Sequence, residues 1–247
     1  MIPARLLAAV SAVLWAFVFF GLIDLSVPLD KTPGFYESYL LETGWGVLYT
    51  FLVGAAFAAL VVRPVLVLPA VQVGLVGLAL GVTAVASGSL VQLVPAVLLV
   101  GNAYAVLRLA GLRLPAGPVR LDPALTVLTA VLLVPAAVFA VDMVDGYRSG
   151  RPPTDDDTWG IDHWPTQAAL ALAVVLVSAA VAAGVRGRWP GAGLSAACVV
   201  LTTGWFGVVS AVYPDHAGSI GTPWGPALVA WALLFAATTA WRHHVRR

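Results

Sequence analysis

The sequence predicts an all-α integral membrane protein, a polytopic bundle of about eight transmembrane helices with both termini cytoplasmic. Three observations predict it. The 247-residue chain is 60% hydrophobic and only 10% charged, with a mean hydropathy of +0.94, whereas soluble domains carry about 25% charged residues. Eight apolar runs follow one another, at about 6–24, 44–62, 64–86, 90–108, 123–141, 164–184, 192–212 and 224–241. Each is close to the roughly 20 residues that a bilayer core demands. They are apolar on every side, unlike the alternating strands of a membrane barrel. Finally, the basic residues fall on alternate loops. With the N-terminus inside, the cytoplasmic side collects Arg5, Arg63, Arg108, Arg113, Arg120, Arg186, Arg188, Arg242, Arg246 and Arg247. The outside keeps Lys31, Arg148 and Arg151, and of the 12 acids only Asp122 falls inside. This is the positive-inside bias, and an even number of spans returns the C-terminus to the starting side.

The elements follow in order. The run 6–24 starts after Arg5 as a signal peptide would, but it is too long for a signal core and no A-x-A site follows. It reads as an uncleaved first helix ending at Asp24. Between the first two runs, residues 35–42 mix apolar and acidic side chains as a short interfacial helix or lid does. The third run carries Gly77 and Gly81 in a GxxxG pattern, extended by Gly74, which is a small face for close packing inside the protein. Ser87-Gly88-Ser89 reads as a turn. Pro69, Pro95 and Pro135 fall within spans and are expected to kink them. Asp162 stands where a helix cap belongs and Pro165 suits a first turn, so I-D-H-W-P-T-Q opens the sixth helix. Gly204 and Gly207 give the seventh a small face. Trp45, Trp164 and Trp224 open the three helices descending from the outer surface and read as an aromatic belt. The basic tail, Arg242 to Arg247, suits contact with anionic lipid.

The whole of 1–247 is expected to form a single transmembrane domain. A composition rich in Ala, Val, Leu, Gly and Arg points to a GC-rich bacterial coding genome, hence to a multi-pass protein of the inner (plasma) membrane. The net charge of +1 leaves no basic footprint for nucleic acid; membrane lipids and a lipid-like substrate are the expected partners. The lone Cys198 excludes an intrachain disulfide and a cysteine metal site. No HExxH, GxSxG or Walker loop occurs. No ionisable residue sits at mid-span, which weighs against an ion- or proton-coupled carrier. Gln72, Gln92, Asn102 and Thr202 are neutral, suited to interhelical hydrogen bonds or to lining an uncoupled path.

Chemistry gathers at the outer face. Asp162, His163, Asp215, His216 and Asp142 are the candidate catalytic residues. Asp145, Gln167, Trp164, Tyr213 and Asp24 are candidates for ligand binding, with Glu42 on the same rim. Asp and His are the common acid–base partners. They are equally ligands for a divalent metal, which makes His163, His216, Asp162 and Asp215 a candidate metal set. A haem between the two histidines is the other cofactor these residues suggest. An apolar surround keeps a carboxyl protonated, which suits acid–base or metal-assisted chemistry on a lipid or isoprenoid entering sideways. Asp155, Asp156 and Asp157 read as a solvated loop tip. The alternative function is a non-enzymatic accessory, sensory or small-molecule-binding protein, or an uncoupled carrier or channel.

Overall fold

A computed structural model of the chain describes residues 1–30, 39–114 and 118–245, without the side chains of residues 243 and 245. Its helices are α1 (Ile2–Val13), α2 (Gly21–Ser26), α3 (Tyr39–Val47), α4 (Ala55–Val62), α5 (Val67–Ser87), α6 (Leu93–Leu109), α7 (Pro123–Arg148), α8 (His163–Gly187), α9 (Ala192–Val212) and α10 (Trp224–Val245). A π-helical stretch, Leu48–Gly54, joins α3 to α4, and another, Leu14–Val18, extends α1. Among the described residues, 7 continuous helices are long and apolar enough to cross a membrane, or 8 if the bent pair Ile2–Val18 and Gly21–Leu29 is one span. The architecture is an all-α bundle. Of the expected lid at 35–42, residues 35–38 lie outside the described residues, and Tyr39 to Glu42 form the first turn of α3.

The first expected span is not one helix. It breaks at Phe19–Phe20, where Phe20 takes a left-handed φ of 58°, and the two halves meet at 50°. Backbone groups freed inside an apolar bundle each cost several kcal/mol if left bare. Two indoles answer this break. Trp45 Nε1 donates to Phe19 O at 2.6 Å, and Trp159 Nε1 donates to Val18 O at 3.2 Å. Gln72 plays the same part for the second π-helical stretch, donating to Leu52 O at 2.7 Å.

The bundle is organised around α8, which packs against α3, α5, α7 and α9. Small residues set the closest crossings. A Cβ at Gly77 would stand 2.8 Å from Ala96 O and 3.1 Å from Leu99 Cβ, so this face does bring α5 onto α6. Gly207 lies against Gly225 of α10, whereas Gly204 faces open space and takes no part in that small face. Pro135 is inside α7. Pro69 and Pro95 instead stand at the third positions of α5 and α6. At Pro69 a missing N–H removes no intrahelical bond, whereas α6 runs on from the turn Leu90–Gln92, which places Pro95 one turn into the continuous span Leu90–Leu109.

The two ends differ in chemistry. At one, Arg242 Nε lies 3.2 Å from the fully buried Asp122, the N-cap of α7, and the Asp122 amide bonds Ala182 O of α8. At the other end gather the acidic loops. Between them α7 exposes Val127, Val131, Val134, Val138 and Val141. Such a stripe is a liability in water and suits lipid.

Candidate functional site

The acidic end is built on the segment 155–167. Asp157–Thr158 pairs with Ile161–Asp162 as a two-stranded antiparallel ribbon, β1 and β2. Its turn residues, Trp159 and Gly160, both have positive φ, 58° and 75°, as a tight hairpin turn requires. The Gly160 amide closes the turn on Asp157 Oδ1 at 2.8 Å. Residues two apart on extended chain share a face, so Asp156 and Thr158 both fold back over the start of α8.

There they grip His163. Its Nδ1 lies 2.8 Å from Asp156 Oδ1, an ion-pair contact, and its Nε2 is 3.0 Å from Thr158 Oγ1. The His163 amide also bonds Asp156 O at 3.1 Å. Asp156 therefore does not belong to a solvated tip: its side chain is only 9% exposed, while Asp155 and Asp157 stay outside. The two ring nitrogens of His163 thus face a carboxylate and a hydroxyl.

Two further carboxylates approach from the first hairpin. Gly46 of α3 presses on the backbone of Asp24 and Leu25 so closely that a Cβ there would overlap Leu25 N. This contact buries Asp24. Glu42 stands four residues before Gly46, on the same helix face. Asp24, Glu42 and Asp156 all lie within electrostatic reach of His163. One oxygen of each carboxyl, Asp24 Oδ2, Glu42 Oε2 and Asp156 Oδ2, is buried without a hydrogen-bond partner among the described residues.

Aromatic rings close the cluster from below. Trp45 stands 4.8 Å from the His163 ring, 6.0 Å from Phe19 and 4.6 Å from Tyr49, and Tyr49 stacks on Trp15 at 5.4 Å. Trp45 and Trp164 are thus core residues, 0% and 2% exposed, and of these three tryptophans Trp224 alone, at 60%, fits an aromatic belt.

The remaining sequence candidates fall into three places. Asp162 caps α8, its Oδ1 accepting from the Trp164 amide at 2.8 Å. Burial pushes its carboxyl up to about 6, against the pull of that amide and of His163. The α9–α10 loop holds the second Asp–His dipeptide. There Asp215 is exposed, and His216 lies 5.0 Å from the Tyr39 ring and 5.2 Å from that of Tyr213. Tyr213 itself donates to Pro28 O at 3.1 Å. Gln167 stands between the two dipeptides and clamps the loop to α3, its amide donating to Leu40 O and Gly218 O, each at 3.0 Å. Among the described residues no hydrogen bond or ion pair joins the Asp–His pairs, and no group of three or more His, Cys, Asp or Glu could hold a metal ion. The third place is the α7 end, which extends through both Asp142 and Asp145. Arg151 takes Asp142 in a two-pronged bond of 2.9 and 3.1 Å and lies 5.3 Å over the Trp164 ring.

The sequence reading placed Glu42 only on the rim and missed Asp156, Thr158 and Trp159. The alternation of Asp156, Thr158 and Gly160 ahead of a helix cap was the available signal. Of the neutral polar residues of the interior, Gln92 bonds Thr83 Oγ1 at 2.7 Å and Asn102 bonds Ser11 Oγ at 3.3 Å, whereas the Thr202 hydroxyl is buried without a partner among the described residues.

Fold and site together define a helical bundle of membrane-spanning length and hydropathy with a buried carboxylate–histidine cluster at one end. No protein-family model, curated protein or solved structure matches the chain.

Proposed function

We propose that the protein works in the membrane through the Asp24–Glu42–Asp156–His163 cluster, whose carboxyl groups serve as general acid and base toward a membrane-borne, lipid-like substrate. The supporting observation is that Asp156 contacts the buried His163 while Asp24 and Glu42, from α2 and α3, lie within its electrostatic reach, each of the three carboxyls having one buried oxygen without a partner among the described residues. Buried acceptors without partners are costly, and clustered ionisable groups of this kind mark functional sites. His163, with its two ring nitrogens facing Asp156 and Thr158, is a positioning residue: it fixes Asp156 and balances the negative charge. Asp142, Asp215 and His216 frame the same face. The arginine bias supports an extracytoplasmic location for the cluster and cytoplasmic termini.

The test uses proteoliposomes made from the lipid extract of the source cells, sampled over time by mass spectrometry. The reading expects one lipid class to be consumed by the wild type and spared by folded Asp24→Asn and Glu42→Gln. No change with the wild type, or the same change with both variants, refutes it.

A further inference from the structure

A second feature lies on the other side of α8. α7 and α10 are tied at their Asp122 end, by Asp122–Arg242 at 3.2 Å and by Trp231 Nε1 donating to Leu128 O at 2.9 Å. Beyond these ties they leave a lateral cavity of about 750 Å³, floored by α8 and α9. It follows α7 from Val131 to Asp142, about 16 Å at 1.5 Å per residue, which is the depth of one leaflet of a roughly 30 Å core. Its walls are apolar, with Pro135, Phe139, Leu170 and Phe206 among them. Thr202 is an exception: its hydroxyl is buried without a partner among the described residues, while the neighbouring Thr203 bonds Val199 O at 2.8 Å. At the mouth the lining turns charged, at Asp142. Arg151 is bound to Asp142, and Asp145 lies within its electrostatic reach.

We propose that this groove holds one acyl chain of an aminophospholipid, phosphatidylethanolamine in chemistry, with the headgroup on the Asp142–Arg151 pair. The chain length suits a cavity one leaflet deep. The headgroup is a zwitterion, and so is the mouth. Arg151 is suited to the phosphate, since a guanidinium fork matches phosphate oxygens. Asp142 and Asp145, three residues apart on one helix face, offer carboxylates to the primary ammonium. A choline headgroup has no N–H to give them, and a glycerol headgroup has no cation. The inference is independent of the acid–base reading, since binding here involves none of the cluster residues.

The experiment is native mass spectrometry of the purified protein released from nanodiscs holding equal amounts of 1-palmitoyl-2-oleoyl phosphatidylethanolamine, phosphatidylcholine and phosphatidylglycerol. The ethanolamine lipid should be retained as a one-to-one adduct about tenfold over the other two, the scale of one charge-assisted hydrogen bond. Asp142→Asn should erase the preference over phosphatidylcholine, and Arg151→Gln should weaken all three. Ala227→Trp, on the exposed wall, and Ala171→Trp, on the floor, should each abolish retention by filling the groove, and either one folding suffices. His163→Gln should leave retention unchanged, which separates this proposal from the previous one. Equal retention of the three lipids, or retention that survives the groove-filling variants, overturns it as ordinary contact with the surrounding lipid shell.

Discussion

His163 Nδ1 and Asp156 Oδ1 lie 2.8 Å apart with side chains only 4% and 9% exposed, although Asp156 is the middle one of three consecutive aspartates. Removing one partner of a buried pair strands the other charge, at roughly 3 kcal/mol. Asp156→Asn should therefore lower the Tm of the detergent-solubilised protein markedly. Asp155→Asn, on the exposed neighbour, should stay within about 0.5 kcal/mol of the wild type. Equal effects of the two would mean that the hairpin does not hold His163.

The break in the first helix depends on Trp45. Trp45→Phe keeps a ring against His163 but leaves Phe19 O bare, a loss of about 1–3 kcal/mol. Trp159→Phe exposes Val18 O at a more accessible place and should cost less. Unfolding by a strong detergent titrated into mixed micelles measures both, and the reverse order would contradict the assignment.

Gly46→Ala should prevent folding, because the added Cβ meets the backbone of Leu25, which cannot move aside as a side chain can. Gly101→Ala is the control, with nothing within 4 Å of its Cβ; it should be neutral or slightly stabilising, since alanine is the better helix former. Size-exclusion chromatography of the two variants reads the difference.

Asp162 gives a pH dependence with a definite sign. Its folded carboxyl is raised to about 6 from 3.8, so the folded state holds the proton more tightly. That contribution is fully present below about pH 4 and is lost as pH rises through about 6. Asp162→Asn keeps a good cap and cannot titrate. The Tm difference, wild type minus variant, should therefore fall across this window. A difference that is flat or rises with pH contradicts the assignment.

The sidedness can be read with a membrane-impermeant maleimide, because the one native cysteine, Cys198, is buried. On intact cells Asp155→Cys should label and Arg188→Cys should not. The opposite pattern would invert the proposed topology.

Much of the frame was legible because membrane spans announce themselves by length and hydropathy. The runs opening at 192 and 224 coincide with α9 and α10 to within a few residues. The break at Phe20 was not legible, since Gly21 beside it is one small residue in an otherwise unbroken apolar run and the support of the break comes from indoles 26 and 141 residues away. The face was found but not the grouping on it. Two Asp–His dipeptides look equivalent as strings, yet one is folded under a hairpin and the other sits in a separate loop beside Tyr39 and Tyr213. Trp45 and Trp164 looked like surface anchors because helix position alone does not reveal which face packs inward. Which of Asp155, Asp156 and Asp157 turns inward was decided by the Trp159–Gly160 turn.

The central claim is that Asp24 and His163 belong to one coupled centre despite standing 139 positions apart in the chain. A double-mutant cycle on unfolding free energy, with Asp24→Asn, His163→Gln and the pair, measures this directly. A coupling of about 1 kcal/mol or more is predicted for charged groups sharing one buried site. Effects that add to within about 0.5 kcal/mol, as independent sites do, would contradict the cluster and the function proposed for it.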